Sequence, residues 1–193
     1  NDKSLWSKMW SYKDHGKSYE AVYERKHPDG FRWVNESFGT NWRMTEMQGV
    51  IGRIQLRRME NWRTNRITNA NKIWDTAKKC KGLRVPDIPN HVDHAAFKCY
   101  VFVKSNELKN KWDRDKIIKE INSLGVPCYH GACPEVYLEK AFDKTEFRPK
   151  ERLVNSKELG ETSLMFLVHP TLTKDEIHQT CNIITSTMNL ATR

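Results

Sequence analysis

Gly39-Thr40-Asn41-Trp42-Arg43-Met44-Thr45-Glu46-Met47-Gln48 is the stretch whose reading decides the fold. Thr45 and Gln48 have capping-box spacing: a hydroxyl accepts from an N-terminal N–H and an amide three residues on reaches back. Behind the box Met47, Val50, Ile51, Ile54, Met59 and Trp62 recur at helical spacing, with Arg53, Arg57, Arg58 and Arg63 on the other face. The pattern continues through Ile67, Ala70, Ile73, Trp74 and Ala77, which predicts one long helix, bent or straight, to about Lys79. Gly82 is placed to stop it, and Pro86 and Pro89 begin a connector. The apolar stripe reads as core rather than as a ligand-binding face.

On the N-terminal side, residues 3 to 13 predict a short helix capped by Asp2 or Ser4, with Leu5, Met9 and Tyr12 along one side. Residues 14 to 40 show no sustained periodicity. Tyr19, Tyr23, Phe31, Trp33 and Phe38 make a loop that packs on something rather than a disordered linker. Beyond the connector, strands and helices alternate. Ala95–Val103 reads as a strand. Asp113 caps a helix with Ile117, Ile118, Ile121 and Leu124 inward, closed by Gly125. Val126-Pro-Cys-Tyr129 starts an edge segment, and residues 130 to 160 are irregular apart from a helical piece around Val136–Phe142. Thr162–Val168 is a covered strand, and Thr173-x-x-Glu176 is a second capping box opening a helix with Ile177, Cys181, Ile184 and Met188 on one side. The domain boundary is expected between residues 82 and 94, giving 1–82 and 83–193.

A hydrophobic share of 38% with seven Trp supports a real core, and a charged share of 30% describes a solvated surface. No apolar run approaches the roughly 18 residues of a membrane helix, and the N-terminus has no signal-peptide pattern. The net charge of +9 raises nucleic acid as a partner. The basic residues are interleaved with 24 acids, so a solvated surface is the preferred account and no nucleic-acid or membrane partner is expected. Five cysteines, an odd number without a CxxC pair, argue against a disulfide framework and for a reducing cytoplasm. His91, His94, Cys128, His130 and Cys133 offer ligands for zinc, but loop and packing roles are preferred and no metal is expected. Asp113, Asp115, Asp175 and Glu176 are read as helix N-terminal charges. Residue chemistry alone stops at a water-soluble two-part α/β chain.

The Gly39–Gln48 segment, followed by Ile51-Gly-Arg-Ile-Gln-Leu56, closely resembles the G-x-N-x-R-M-x-E-x-Q segment and Gln-Leu pair of the DegT/StrS family of pyridoxal-phosphate sugar aminotransferases. Lys13-Asp-His-Gly-Lys17 is similar to the Lys-x-His-Gly region preceding it, and Leu167-Val-His-Pro-Thr-Leu-Thr173 to the apolar-His-Pro-x-Leu-Thr corner near the C-terminus. Gly131–Phe142 looks like a subgroup feature. The resemblance covers the chain in register.

It implies the C-terminal portion of a fold-type I aminotransferase: a long helix from the large domain, then a small two-layer α/β domain with a short, mainly antiparallel sheet. It also implies a homodimer with shared active sites, pyridoxal 5'-phosphate (PLP) as cofactor, and a keto nucleotide sugar and glutamate as substrates. Asn41 is implied as a contact to the cofactor phosphate in the neighbouring subunit's site, a short amide adding no charge. Arg43 is implied to bind a phosphate or substrate carboxylate, or else to hold the loop. His15 and His169 fall in motifs lining the sugar-nucleotide pocket, and residues 129 to 152 are expected to help select the sugar. Cys133 is read as packing. None of the lysines occupies the Schiff-base position, which in the family precedes a Gly-Glu-Gly-Gly strand; Asn1-Asp2 matches the turn after that strand. With no initiator Met the chain is read as a fragment that holds no catalytic residue, binds no cofactor and is inactive alone. Two other functions stay open: a non-catalytic basic binding or regulatory module, and a sugar-nucleotide dehydratase of the same family, in which a His replaces the lysine.

Overall fold

The computed structural model describes residues 2–27 and 33–193, in two compact units, Asn1–Arg57 and Arg58–Arg193. The expectations placed on Asn1 and Phe31 lie outside the described residues.

The first unit opens with α1 (Lys3–Lys13), capped as expected: Asp2 Oδ1 accepts the Leu5 N–H at 3.0 Å. The segment after it holds a helix the sequence did not show, α2 (Tyr19–Tyr23), whose N-cap Ser18 Oγ accepts the Ala21 N–H at 3.0 Å. Five residues are too few for a periodic signal. The expected packing of this segment holds for Tyr19 and Tyr23: Tyr19 meets Trp6 and Trp10 edge-on at 5.3 and 5.4 Å, and Tyr23 lies 6.1 Å from Trp10. It fails for Trp33 and Phe38, which are 84% and 99% exposed.

The long helix α3 runs Glu46–Lys79, ending where the sequence placed its end. Its capping box is formed: Gln48 N–H donates to Thr45 Oγ1 at 3.3 Å and Gln48 Oε1 accepts the Thr45 N–H at 2.9 Å. The reading of its whole stripe as core is corrected. Met47, Val50, Ile51, Ile54 and Met59 are exposed, and the buried positions are Ala70, Ile73, Trp74 and Ala77. A helix of 34 residues is about 50 Å long, and the sheet beside its last turns has strands of five residues at most. One periodicity therefore covers a buried and an unburied half.

In the second unit β1 (Leu83–Arg84), β2 (Cys99–Val103), β3 (Cys128–Tyr129) and β4 (Ser163–Phe166) form an antiparallel sheet in the order β1-β2-β4-β3. Cys99 faces Phe166 and Val101 faces Leu164 across the central pair. Cys99, Val101 and Val103 are buried, while Tyr100 and Phe102 alternate to a half-exposed face. The strand expected from Ala95 starts only at Cys99, because Ala96 (φ 45°) turns left-handed and interrupts the extended run. Helix α4 (Arg114–Ser123) is capped by Asp113, and α6 (Lys174–Ala191) by the Thr173–Glu176 capping box. They bury Ile117, Ile118 and Ile121, and Ile177, Ile184 and Met188. Leu124, expected inward, follows the last turn of α4 and is exposed.

The irregular stretch from residue 130 contains two short 3-10 turns, Val136–Leu138 and Lys140–Phe142, close to the expected helical piece. It also contains α5 (Val154–Thr162), which the sequence did not announce: no side chain caps it and none of its residues is buried. The architecture is thus α/β, with a small antiparallel sheet and one long helix.

Burial sets apart residues that look alike in sequence. Ile121→Ala should cost about 2–5 kcal/mol, and Met59→Ala no more than about 0.5 kcal/mol as an exposed change. Urea unfolding of the chain read by circular dichroism checks both.

Candidate functional site

Two segments 23 residues apart in sequence are knitted into one structure in the first unit. Thr40 N–H donates to Tyr12 O at 2.7 Å, His15 N–H to Thr40 O at 2.9 Å and Trp42 N–H to Lys13 O at 2.9 Å, with Asp14 and Asn41 paired as an isolated β-bridge. The turn from α1 into this contact is left-handed at His15 (φ 58°) and Gly16 (φ 78°). A Cβ on Gly16 would collide with the Ser37 carbonyl, and one on Gly39 with the Gly16 nitrogen and Tyr12 oxygen. Glycine is needed at both places because two backbones touch there.

Asp14 is buried in this knot with 2% of its side chain exposed. Its carboxylate accepts from an Arg43 guanidinium nitrogen and lies 3.6 Å from Lys17 Nζ. Burial pushes the carboxyl pKa up, but Lys17, Arg43 and Lys13 outweigh it and hold the group below its ordinary value. Asn41 is exposed. Its Oδ1 accepts the Arg43 N–H at 3.4 Å, and no described residue accepts from its Nδ2. The Thr40 hydroxyl beside it is buried without a partner among the described residues. An open amide donor two residues before the half-exposed Arg43 guanidinium has the chemistry to hold a phosphate end.

The structure brings three of the four sequence-assigned residues together here: Asn41, Arg43 and His15. The His15 ring is exposed, and its carbonyl accepts the Asn35 amide at 2.8 Å. His169 belongs to the other unit, before the cap of α6. Its Nδ1 is 2.7 Å from Thr171 Oγ1 and its carbonyl accepts the Leu172 N–H. Asp14 lies inside the Lys-Asp-His-Gly motif but carries no sequence signal of its own, because its burial depends on Gly39 and Arg43 far along the chain.

The segment expected to select the sugar is anchored by a second polar network. Glu135 accepts two hydrogen bonds from Arg152, at 2.9 and 2.6 Å, and one from the Tyr137 hydroxyl at 2.7 Å. The same hydroxyl accepts the Leu153 N–H at 3.0 Å, and Arg148 donates to the Tyr137 and Glu139 carbonyls. Arg152 first and Tyr137 second hold the Glu135 carboxyl down at about 2. Neither Glu135 nor Arg152 stood out in sequence, being single charges in a charge-rich stretch.

Cys128 lies in the core, where burial pushes its thiol up to about 12, and the His94 Nδ1 accepts the Ala96 N–H at 3.0 Å. Cys133 is exposed, with its thiol 3.8 Å from Glu139 Oε1. Among the described residues no three His, Cys, Asp or Glu side chains gather where they could hold a metal ion, and no helix is long and apolar enough to cross a membrane.

The model of the DegT/DnrJ/EryC1/StrS aminotransferase family matches residues 1–185, and the chain belongs to that family. The X-ray structure of an aminotransferase from Psychrobacter cryohalolentis is 57% identical with a TM-score of 0.90, covering 98% of this chain and 50% of that one. The erythromycin biosynthesis sensory transduction protein EryC1 of Saccharopolyspora erythraea is 26% identical over 75% of this chain and 37% of its own. An E. coli GDP-4-keto-6-deoxy-D-mannose-3-dehydratase with bound hydrated PLP shares the fold at 21% identity and a TM-score of 0.72, covering 95% of this chain and 48% of that one. The chain thus spans half the length, or less, of the relatives it matches. The fold is that of the fold-type I aminotransferases, and the family is PLP-dependent.

The Glu135 network gives the 131–153 segment a pH dependence of known sign. A carboxylate depressed on folding stabilises the folded form above its unfolded value and loses that contribution as pH falls through its folded one. Protection of the Leu153 amide from hydrogen exchange should therefore decline between about pH 4.5 and about 2, and Glu135→Gln should remove that decline.

Proposed function

We propose that this chain is the C-terminal part of a PLP-dependent aminotransferase that transfers an amino group, from glutamate, to a keto nucleotide sugar in polysaccharide or amino-sugar biosynthesis. The observation that carries this reading is the 57% identity to the Psychrobacter cryohalolentis aminotransferase across 98% of the chain. Residues 1–82 are then the remnant of the large domain with its dimer-crossing loop, and 83–193 the small domain. The parent works as a homodimer in a reducing cytoplasm.

Within that reading Asn41 donates its amide to the cofactor phosphate in the partner subunit's site. The open Nδ2 described above supports this, because a neutral donor close to Arg43 in the chain holds an anionic oxygen without further charge. Arg43 keeps about half of its side chain exposed while paired to Asp14, so its remaining N–H groups are free to meet a substrate carboxylate or phosphate. His15 and His169 contact the nucleotide sugar, each with its backbone fixed by the hydrogen bonds already given. When bound, PLP supplies the electron sink and the carbonyl through which the amino group is exchanged. This chain contributes binding and orientation to that chemistry; the lysine that anchors the cofactor belongs to the rest of the protein, so the chain alone does not transaminate.

The test is direct. The full-length gene product should show the PLP absorbance band and aminate a keto nucleotide sugar in the presence of glutamate, whereas residues 1–193 alone should show neither. Loss of a charge-assisted hydrogen bond predicts that Asn41→Ala weakens PLP binding by about tenfold. A full-length product without a PLP band, one that dehydrates the sugar instead, or one that binds DNA at physiological salt would sink the reading.

A further inference from the structure

We propose that Asp14 is a positioning residue for the phosphate-binding corner, acting through Arg43 to set both the Asn41 amide and the exposed edge of the guanidinium. The inference rests on the phosphate contact proposed for Asn41. Asp14 is the only carboxylate buried among the described residues, and a buried charge is retained at a cost unless paired. Its partners converge from two places: Lys17 three residues on, and Arg43 from 29 residues away.

The chain of contact is short. The Asp14 carboxylate fixes the Arg43 guanidinium, and the Arg43 backbone N–H donates to Asn41 Oδ1. An amide whose oxygen is held has its Nδ2 turned outward as a donor. The two backbones are already joined by the Asp14–Asn41 bridge and the hydrogen bonds of Thr40, His15 and Trp42. The ion pair adds a side-chain tie to these backbone bonds: it fixes the guanidinium and, through that residue, steadies the Arg43 backbone N–H that holds the Asn41 oxygen. It also removes one positive charge from competition, so that Arg43 meets a ligand along one edge rather than as a free cation.

Affinities of the full-length gene product for PLP and for pyridoxal, which lacks the phosphate, test this. Asp14→Asn keeps the volume and an acceptor oxygen and loses the charge. It should lower PLP affinity about tenfold, the scale of one hydrogen bond to a charged group, and leave pyridoxal affinity unchanged. In an Arg43→Ala background the same substitution should add nothing, because the link it acts through is gone.

Equal loss for PLP and pyridoxal, or a full additional loss in the Arg43→Ala background, would reduce Asp14 to a structural residue and overturn the proposal. Parental PLP affinity in Asp14→Asn, beside weakened Asn41→Ala, overturns it while leaving the Asn41 contact standing. Parental affinity in Asn41→Ala removes that contact and this proposal with it. Should Asp14→Asn fail to fold by circular dichroism, the smaller Asp14→Ser takes its place: a phosphate-selective loss supports the proposal and parental PLP affinity refutes it.

Discussion

Ala70, Ile73, Trp74 and Ala77 lie on one face of α3 and are the only part of that 34-residue helix that is fully covered. The indole N–H of Trp74 donates to the Tyr100 carbonyl at 3.0 Å, so the helix is tied by a directional bond to the central strand as well as by apolar contact. Two small residues flank two large ones along the row, letting the backbone come close at Ala70 and Ala77 while Ile73 and Trp74 fill the space between. Burying side chains of that size contributes about 1.5–3 kcal/mol each. The sheet, α4 and α6 share the core that this row enters. The two longest strands, β2 and β4, sit centrally, while the two-residue β1 and β3 take the edges. Short edge strands leave few open backbone groups to invite pairing with another chain.

The first unit is held by a different kind of force. Ala21 and Val34 are its only buried apolar residues among those described, too few to make a core. Its order comes from backbone hydrogen bonds between residues 12–16 and 39–43, from glycines where the two backbones touch, and from a buried carboxylate, Asp14, paired to Arg43 and Lys17. Such a contact depends strongly on distance and direction. That suits the presentation of polar side chains to an anion better than an apolar face would, since apolar contact fixes separation but not orientation.

How far the sequence revealed the fold follows from the range of each signal. The caps at Asp2, Thr45, Asp113 and Thr173 act over three residues, and all four form in the structure. The burial of the α3 stripe is a long-range property. Met59 and Ile73 occupy equivalent positions in the periodic pattern, yet one is 54% exposed and the other fully buried. Periodicity reports that a face is apolar and is silent on what covers it. The helices without a signal in the sequence are α2, which has five residues, and α5, which has neither a side-chain cap nor a buried residue; α1 also buries nothing, but its Asp2 cap marks it.

The candidate site divides along the same line. Asn41 and Arg43 stand in one contiguous motif and His15 in another, and the resemblance of both to a family marks them. Neither motif marks the geometry that relates them. Asp14 is buried only because Gly16 and Gly39 let two strands of backbone meet, and that meeting places Arg43 against it from 29 residues away. A carboxylate between a lysine and a histidine in sequence reads as one more solvated charge. In the folded chain it is the group that turns a free cation into a directed donor. A motif can therefore name the residues that face a ligand, while the residue that aims them is found only where the backbone brings distant segments into contact.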